Sequence, residues 1–361
     1  MCFGSIRTIG VIMIDVSTEV DLENMQLFGN VEGKNSSVYL ANDRQLRHQF
    51  VVKKIKKSDI YNDYESTEEK NLFNESSILY KVAHPNISEI QYASFDDDFV
   101  YIVMPYYQNG SIQSILDERN LSMREFIKYS LEFLSGLLFV HANSLVHFDI
   151  KPTNILINNN GKAVLTDFGL AKYLDNGSEL AVPNKIYNSH IPPEIFESNE
   201  LSRQSDIYQA GVTMYRMANG NAIWNEQLVN CVKDKIISGV FPSRETYLPH
   251  VLKKITKIIN KCMNPDVNKR YQSVLDIIND LSEISGELDW YYTKTSEKEE
   301  VWKKEVGNME MCIKITNLGN CYDLETMKTN LQTNRTSKVS AMCKKCQSPK
   351  EAYQIIKKQI Q

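Results

Sequence analysis

One octapeptide carries much of the chemistry legible in this chain: His147-Phe148-Asp149-Ile150-Lys151-Pro152-Thr153-Asn154. Thirteen residues past Asn154 comes Asp167-Phe168-Gly169. A carboxylate, a lysine, an amide and a second carboxylate, in that order, suit phosphoryl transfer from a metal-bound nucleoside triphosphate. One carboxylate must orient the attacking hydroxyl, and a lysine must offset charge on the moving phosphoryl group. An amide and a second carboxylate must hold metal between the phosphates. Any one of these residues could simply form a turn, since Asp and Asn are common there and Phe-Gly can close a hairpin. So many specified positions at fixed spacing make that an inadequate account.

These motifs resemble the eukaryotic-type protein kinase family. The resemblance implies Asp149 as catalytic base, Lys151 as γ-phosphate contact, and Asn154 and Asp167 as Mg²⁺ ligands, with ATP and Mg²⁺ as cofactors. Phe50-Val51-Val52-Lys53 is similar to the family's Val-Ala-Ile-Lys strand, so Lys53 would hold the α- and β-phosphates. Glu75 follows 22 residues on and would be its ion-pair partner. Taken alone, Lys53 belongs to a run with Lys54, Lys56 and Lys57 that reads as a solvated face.

The nucleotide site departs from the family at two places. With Val38 as the residue that trails the glycine-rich loop, Gly33 takes the central glycine position, while Val31 and Ser36 stand where glycines would flank it. Their Cβ atoms obstruct the approach of backbone N–H groups to phosphate. Val51 replaces the usual Ala and narrows the adenine slot, whose other walls would be Val38 and Leu156. Met104-Pro105-Tyr106-Tyr107 resembles the hinge between lobes. The Pro105 carbonyl and the Tyr107 N–H would meet the adenine, and Pro lacks only the donor that is not needed there.

Further along, Pro192-Pro193-Glu194 is similar to the family's Ala-Pro-Glu, with Arg270 as the partner of Glu194. Asp206 and Gly211 match Asp-x-Trp-x-x-Gly, with Tyr208 for Trp, and Asp206 would hold the catalytic-loop backbone. Lys151-Pro152 follows the Ser/Thr pattern, yet Tyr187 occupies the place where Ser/Thr kinases usually carry Thr. Wee-type kinases share the His-x-Asp-Ile-Lys-Pro-x-Asn loop and modify Tyr, so the acceptor stays open. An ATP-binding module without catalysis would be expected to lack Lys53, Asp149 or Asp167, and none is missing. A small-molecule kinase of the aminoglycoside type would lack the Pro-Pro-Glu and Arg270 elements. Phe148 stands where an Arg usually binds an activation-loop phosphate. An apolar side chain there needs no phosphate, so modification of Ser178 or Ser189 is expected to change activity little.

The positioning elements follow from periodicity. Ser37–Leu40, Phe50–Val52 and Phe99–Met104 are β-branched and aromatic runs that read as strands. One helix, from about Glu68 to Val82, interrupts them and ends at His84-Pro85-Asn86. From residue 110 the period turns helical. Phe126, Phe133, Leu134, Leu137, Leu138 and His141 share a face, as do Ile207, Ala210, Gly211, Met214 and Met217, and then Leu252, Ile255, Ile258, Ile259 and Cys262. Ser273 reads as an N-cap. The fold class is therefore α+β, a bilobal kinase fold. The small β-rich N-lobe with one helix covers 25–104, and a larger helical C-lobe covers 110–285. Residues 1–24 form an N-terminal extension and 293–361 a basic C-terminal extension.

Composition agrees with a globular enzyme: 361 residues, 42% hydrophobic, 24% charged, net charge −4. That balance argues against nucleic-acid binding by the whole chain. The longest N-terminal apolar run, Ile9–Ile14, is too short for a membrane span or secretory core. Seven cysteines, an odd number, fit a reducing cytoplasm better than a disulfide framework. Residues 293–361 carry 13 Lys and Arg against 8 Asp and Glu, whereas the preceding 292 residues carry 28 against 37. The expectation for this segment is a solvated basic tail, with partner binding as the alternative, and the chain is expected to fold without it. Cys312, Cys321, Cys343 and Cys346 have only one zinc-like gap and read as thiols. The protein partner implied by the resemblance is a protein substrate.

Overall fold

In a computed structural model, the structure describes residues 22–27, 36–43, 47–64, 74–81, 83–174, 180–181, 189–198, 200–229 and 231–360. Gly33, Val31, Ser178 and Tyr187 lie outside the described residues.

The N-lobe is an antiparallel sheet of five strands in the order β1-β2-β3-β5-β4. Its strands are β1 (Leu22–Leu27), β2 (Ser36–Asp43), β3 (His48–Lys56), β4 (Tyr92–Phe95) and β5 (Phe99–Pro105). Phe50 and Val52 alternate with Lys53 across β3. They pack with Ala41 and Val103 on one face, while Val100 and Ile102 pack with Ile55 and Ile60 on the other. Two helices accompany the sheet where one was expected: α1 (Lys57–Tyr64) and α2 (Asn74–Lys81). The first was missed because its sequence, Lys-Ser-Asp-Ile-Tyr-Asn-Asp-Tyr, has no apolar stripe. The expected start of the second, Glu68 to Phe73, lies outside the described residues. A strand also begins at Leu22, inside the segment read as an N-terminal extension.

The C-lobe is helical: α3 (Ile112–Glu118), α4 (Met123–Ala142), α5 (Ile195–Ser198), α6 (Arg203–Leu228), α7 (Lys233–Ile237), α8 (Lys253–Cys262) and α9 (Val274–Ser282). Short strands β6 (Leu145–Val146), β7 (Ile155–Ile157), β8 (Ala163–Leu165) and β9 (Lys172–Tyr173) pair as β6-β9 and β7-β8, and between them run the two motif loops. Ser122 and Ser202 form capping boxes for α4 and α6, and Ser273 caps α9 through the Leu275 N–H. Helix α6 is buried on all sides from Ser205 to Gly220, so it is the core itself rather than an amphipathic cover. It breaks at Gly220, where φ is 74° and a Cβ would lie 1.6 Å from Asn120 Oδ1.

The C-terminal segment overturns the expectation of a solvated tail. It folds as β10 (Tyr291–Ser296), β11 (Glu299–Val306), β12 (Met309–Asn317), β13 (Tyr322–Asn330), β14 (Arg335–Lys338) and β15 (Lys344–Cys346), followed by α10 (Pro349–Ile360). The register places Trp302, Ile313 and Thr326 on one rung and Ile315 beside Leu324 on the next. These residues are buried together with Ala352, Ile356 and Ile360 of α10. The cluster is continuous with the C-lobe core through Trp290, Tyr292 and Trp302. Trp302 Nε1 donates to His250 Nδ1 at 3.2 Å, and Asn120 Nδ2 donates to the Tyr292 carbonyl at 3.2 Å. The strands were missed because charged residues occupy the outer face of an alternating pattern. Many of the lysines there are locally paired: Lys303 with Glu310, Lys338 with Glu325 and Lys344 with Glu351. Among the described residues no group of three or more His, Cys, Asp or Glu could hold a metal ion, the four C-terminal cysteines included.

Candidate active site

The site forms where the N-lobe sheet faces the loops after β6 and β8. Lys53 projects from β3 and is 9% exposed. Its Nζ lies 2.8 and 3.0 Å from the two Glu75 oxygens of α2 and 2.8 Å from Asp167 Oδ1. Burial alone would push the ammonium down; the two carboxylates outweigh it and hold Lys53 well above its ordinary value. Burial likewise opposes ionisation of Asp167, yet the adjacent Lys53 brings that carboxyl down to about 2. Burial, reinforced by the Asp167 charge, pushes Glu75 up against the pull of Lys53. The cluster is therefore one shared charge assembly rather than two independent bridges. Gly169 sits against it: a Cβ there would lie 3.4 Å from Lys53 Nζ, Glu75 Oε2 and Asp167 Oδ1.

Across the site, Asp149 Oδ2 accepts from Lys151 Nζ at 2.8 Å and from Asn154 Nδ2 at 2.7 Å. Asn154 Nδ2 also reaches the Asp149 carbonyl at 2.9 Å. Burial pushes the Asp149 carboxyl up, with Lys151 opposing. The backbone here is strained, because Phe148 and Asp167 both have φ of 63°. Such conformations cost on the order of 1–3 kcal/mol each and persist only where neighbours enforce them.

One face of α6 does the enforcing at Phe148. Asp206 accepts from the N–H groups of His147 and Phe148 at 2.9 and 2.8 Å, and from His141 Nε2 at 2.8 Å. Gln209 accepts from the Ile150 N–H at 3.0 Å and donates to the Phe148 carbonyl at 2.8 Å. Thr213 Oγ1 donates to the Ile150 carbonyl at 3.1 Å. Sequence reasoning picked out Asp206 but missed Gln209 and Thr213. The available signal was their i+3 and i+7 spacing from Asp206, which puts all three on one helical face. His147, fully buried, contacts the Thr166 carbonyl at 3.1 Å and meets the Phe168 ring edge-on at 4.7 Å.

Val38 and Val51 lie half-buried on β2 and β3, and Val38 is opposite Lys53 in the register. Leu156 on β7 is half-buried and bridges to Ser111 at the start of α3. Pro105 ends β5 opposite Phe50, and the Tyr107 carbonyl accepts from Gly110 N–H at 3.1 Å in the linker between lobes. Phe148 is buried with Val146, Leu174 and Leu201, and Ala181 and Ile195 pack against this cluster. Paired hydrogen bonds between Ala181 and Leu201, at 2.8 and 2.9 Å, tie the segment down. Arg270 grips Glu194 with two parallel bonds of 2.8 and 2.7 Å, and its side chain is fully buried. Arg270 and Ser205 hold Glu194 below the usual carboxylate range despite burial.

A family model for the protein kinase domain matches residues 23–280. The chain belongs to the protein kinase family. It is 28% identical over 272 residues to a probable serine/threonine-protein kinase of Clostridium perfringens, covering 74% of this chain and 39% of the relative. It is 28% identical to the serine/threonine-protein kinase PrkC of Bacillus subtilis, covering 69% and 38%. It is also 28% identical to myosin light chain kinase A of Dictyostelium discoideum, covering 66% and 80%. The kinase chain thus spans about two fifths of the length of the bacterial relatives. No helix among the described residues is long and apolar enough to cross a membrane.

The donor set suits the metal and nucleotide that the family implies. A carboxylate and an amide, Asp167 and Asn154, offer the hard oxygens a divalent cation such as Mg²⁺ prefers. Lys53 adds a fixed cation between them and the N-lobe.

Proposed function

We propose that this kinase transfers the γ-phosphoryl group of ATP to Ser or Thr hydroxyls of protein substrates. The observation that carries the reading is buried Lys53 bonded at once to Glu75 and Asp167, opposite an Asp149 held by Lys151 and Asn154. Lys53 orients the α- and β-phosphates. Asp149 aligns the substrate hydroxyl and receives its proton. Its Oδ2 is engaged by Lys151 and Asn154, which leaves Oδ1 as the oxygen for that hydroxyl. Lys151 offsets charge on the group in transfer. Asn154 and Asp167 would hold Mg²⁺, which would supply neutralisation of phosphate charge. Val38, Val51 and Leu156 enclose the adenine, and Pro105 and Tyr107 meet its edge. Lys151-Pro152 and the relatives' names favour Ser/Thr over Tyr.

The experiment incubates purified protein with ATP, Mg²⁺ and a mixture of protein substrates, and maps phosphosites by mass spectrometry. Phosphoserine and phosphothreonine are expected. Phosphotyrosine alone would overturn the acceptor assignment, and no incorporation would overturn the kinase reading.

A further inference from the structure

Asp149 is joined to its loop by two peptide units, Phe148–Asp149 and Asp149–Ile150. Each unit carries one carbonyl and one N–H. Two of these four groups are held inside the loop. The Asp149 N–H donates to His147 Nδ1 at 3.3 Å, and the Asp149 carbonyl accepts from Asn154 Nδ2 at 2.9 Å. The other two are the Phe148 carbonyl and the Ile150 N–H, on residues that are themselves buried. A single side chain of α6 takes both. Gln209 Nε2 donates to the Phe148 carbonyl at 2.8 Å, and Gln209 Oε1 accepts from the Ile150 N–H at 3.0 Å. Gln209 is 3% exposed.

Its neighbours on the same helical face act elsewhere. Asp206 accepts one step earlier, from the His147 and Phe148 N–H groups, and Thr213 donates one step later, to the Ile150 carbonyl. Among the described residues, Gln209 is thus the one group from outside the loop that bonds both peptide units of Asp149. The pattern Asp-x-Trp-x-x-Gly, which Asp206 and Gly211 match, leaves position 209 unspecified. A planar amide presents its donor and its acceptor in a fixed relation. Peptide units are themselves planar, so holding both of them sets φ and ψ of Asp149, and with them the direction of its Cα–Cβ bond.

We infer that Gln209 is a positioning residue for the chemical step: its amide brackets Asp149 and aims the carboxylate at the acceptor hydroxyl. This inference rests on the reading of Asp149 as the base. Gln209 bonds only backbone, so its removal acts on the rate of transfer and spares nucleotide binding. An amide that merely satisfied two buried backbone groups would cost stability when removed and leave the turnover of the folded protein unchanged. The two roles therefore separate in kinetics.

The test measures transfer from ATP to a Ser or Thr peptide by the full chain, at temperatures where circular dichroism shows each variant folded. Gln209→Met keeps the length of the side chain and removes both bonds. Its kcat should fall by roughly tenfold to a hundredfold, with KM for ATP within about twofold of wild type. Gln209→Glu keeps an acceptor for the Ile150 N–H, but can donate to the Phe148 carbonyl only when protonated. Burial and the carboxylates of Asp206 and Asp149, on the two elements that meet here, raise this carboxyl above its ordinary range. The basic groups of the neighbouring elements, His141, Lys151 and Arg270, are each already bonded to a carboxylate. Burial presses His147 toward its neutral form. The ratio of the Gln209→Glu kcat to that of wild type should therefore be near one at the acid end and fall by roughly tenfold or more as pH rises. A folded Gln209→Met protein with kcat within about twofold of wild type overturns the inference. So does a Gln209→Glu ratio that does not change with pH, and this arm decides if Gln209→Met fails to fold. No transfer by wild type overturns the kinase reading and this inference with it.

Discussion

Replacing Trp302 by Ala asks whether the C-terminal sheet is part of the kinase core. Trp302 is fully buried, meets Tyr292 and Tyr353 at 4.9 and 5.9 Å, and donates its indole N–H to His250. Truncating a buried Trp to Ala costs about 3–5 kcal/mol through lost transfer energy and the cavity left behind. The change also strands His250 Nδ1, whose Nε2 is already buried without a partner. An unsatisfied buried polar atom costs about 1–3 kcal/mol more. The expected loss is therefore about 4 kcal/mol or more, a large part of the 5–15 kcal/mol typical of a folded protein. Urea unfolding followed by tryptophan fluorescence and far-UV circular dichroism measures it. His250→Ala and the double variant should give a coupling energy of about 0.5–3 kcal/mol. A loss below about 1 kcal/mol, or full additivity, would refute the shared core. Truncation before Tyr291 should then yield a well-folded C-lobe.

Other consequences are as direct. Arg270→Ala leaves Glu194 buried without its cation and should destabilise by about 3–5 kcal/mol; a Tm within a degree of wild type would contradict the buried pair. Burial depresses the His250 imidazole to about 4 from 6.5, so the unfolded chain binds more protons between those values. This contribution is complete above pH 6.5 and is lost as pH falls toward 4, about 3 kcal/mol in all. Glu75 and Asp149, whose carboxyls are pushed up, act in the opposite sense. The His250 share is therefore the difference between wild type and His250→Gln, and identical acid limbs for the two would refute it. Phe148 packs the segment near Leu174 and Leu201 without a charge that needs a phosphate. Phosphatase treatment should therefore change the initial rate by less than tenfold, and a larger fall would show that another basic residue takes that role.

The readable parts of the molecule were those in which charge or period is dense. Lys53 and Glu75 could be paired through the resemblance to the kinase family, because alone Lys53 reads as one of a solvated lysine run and Glu75 as a surface helical acid. Helices α4, α6, α8 and α9 were readable from apolar periodicity, and Ser273 from its place before such a run. Gln209 and Thr213 escaped because neutral side chains that bond backbone carry no compositional signature. Helix α1 escaped because its stability comes from context rather than from a stripe. The C-terminal strands alternate charged and apolar residues, and an excess of lysine hid that alternation. Pairing with Glu325, Glu310 and Glu351 becomes visible only once the register is known.

The central claim is that Asp149 acts as the base of a phosphoryl transfer assembled around Lys53, Glu75 and Asp167. Single-turnover transfer from ATP to a peptide, compared between wild type and Asp149→Asn, tests it most directly. Asn keeps the shape and removes the proton acceptor. The account predicts a rate lower by two orders of magnitude or more, with an unchanged melting curve. A rate within a few-fold of wild type in a folded Asp149→Asn protein would contradict it.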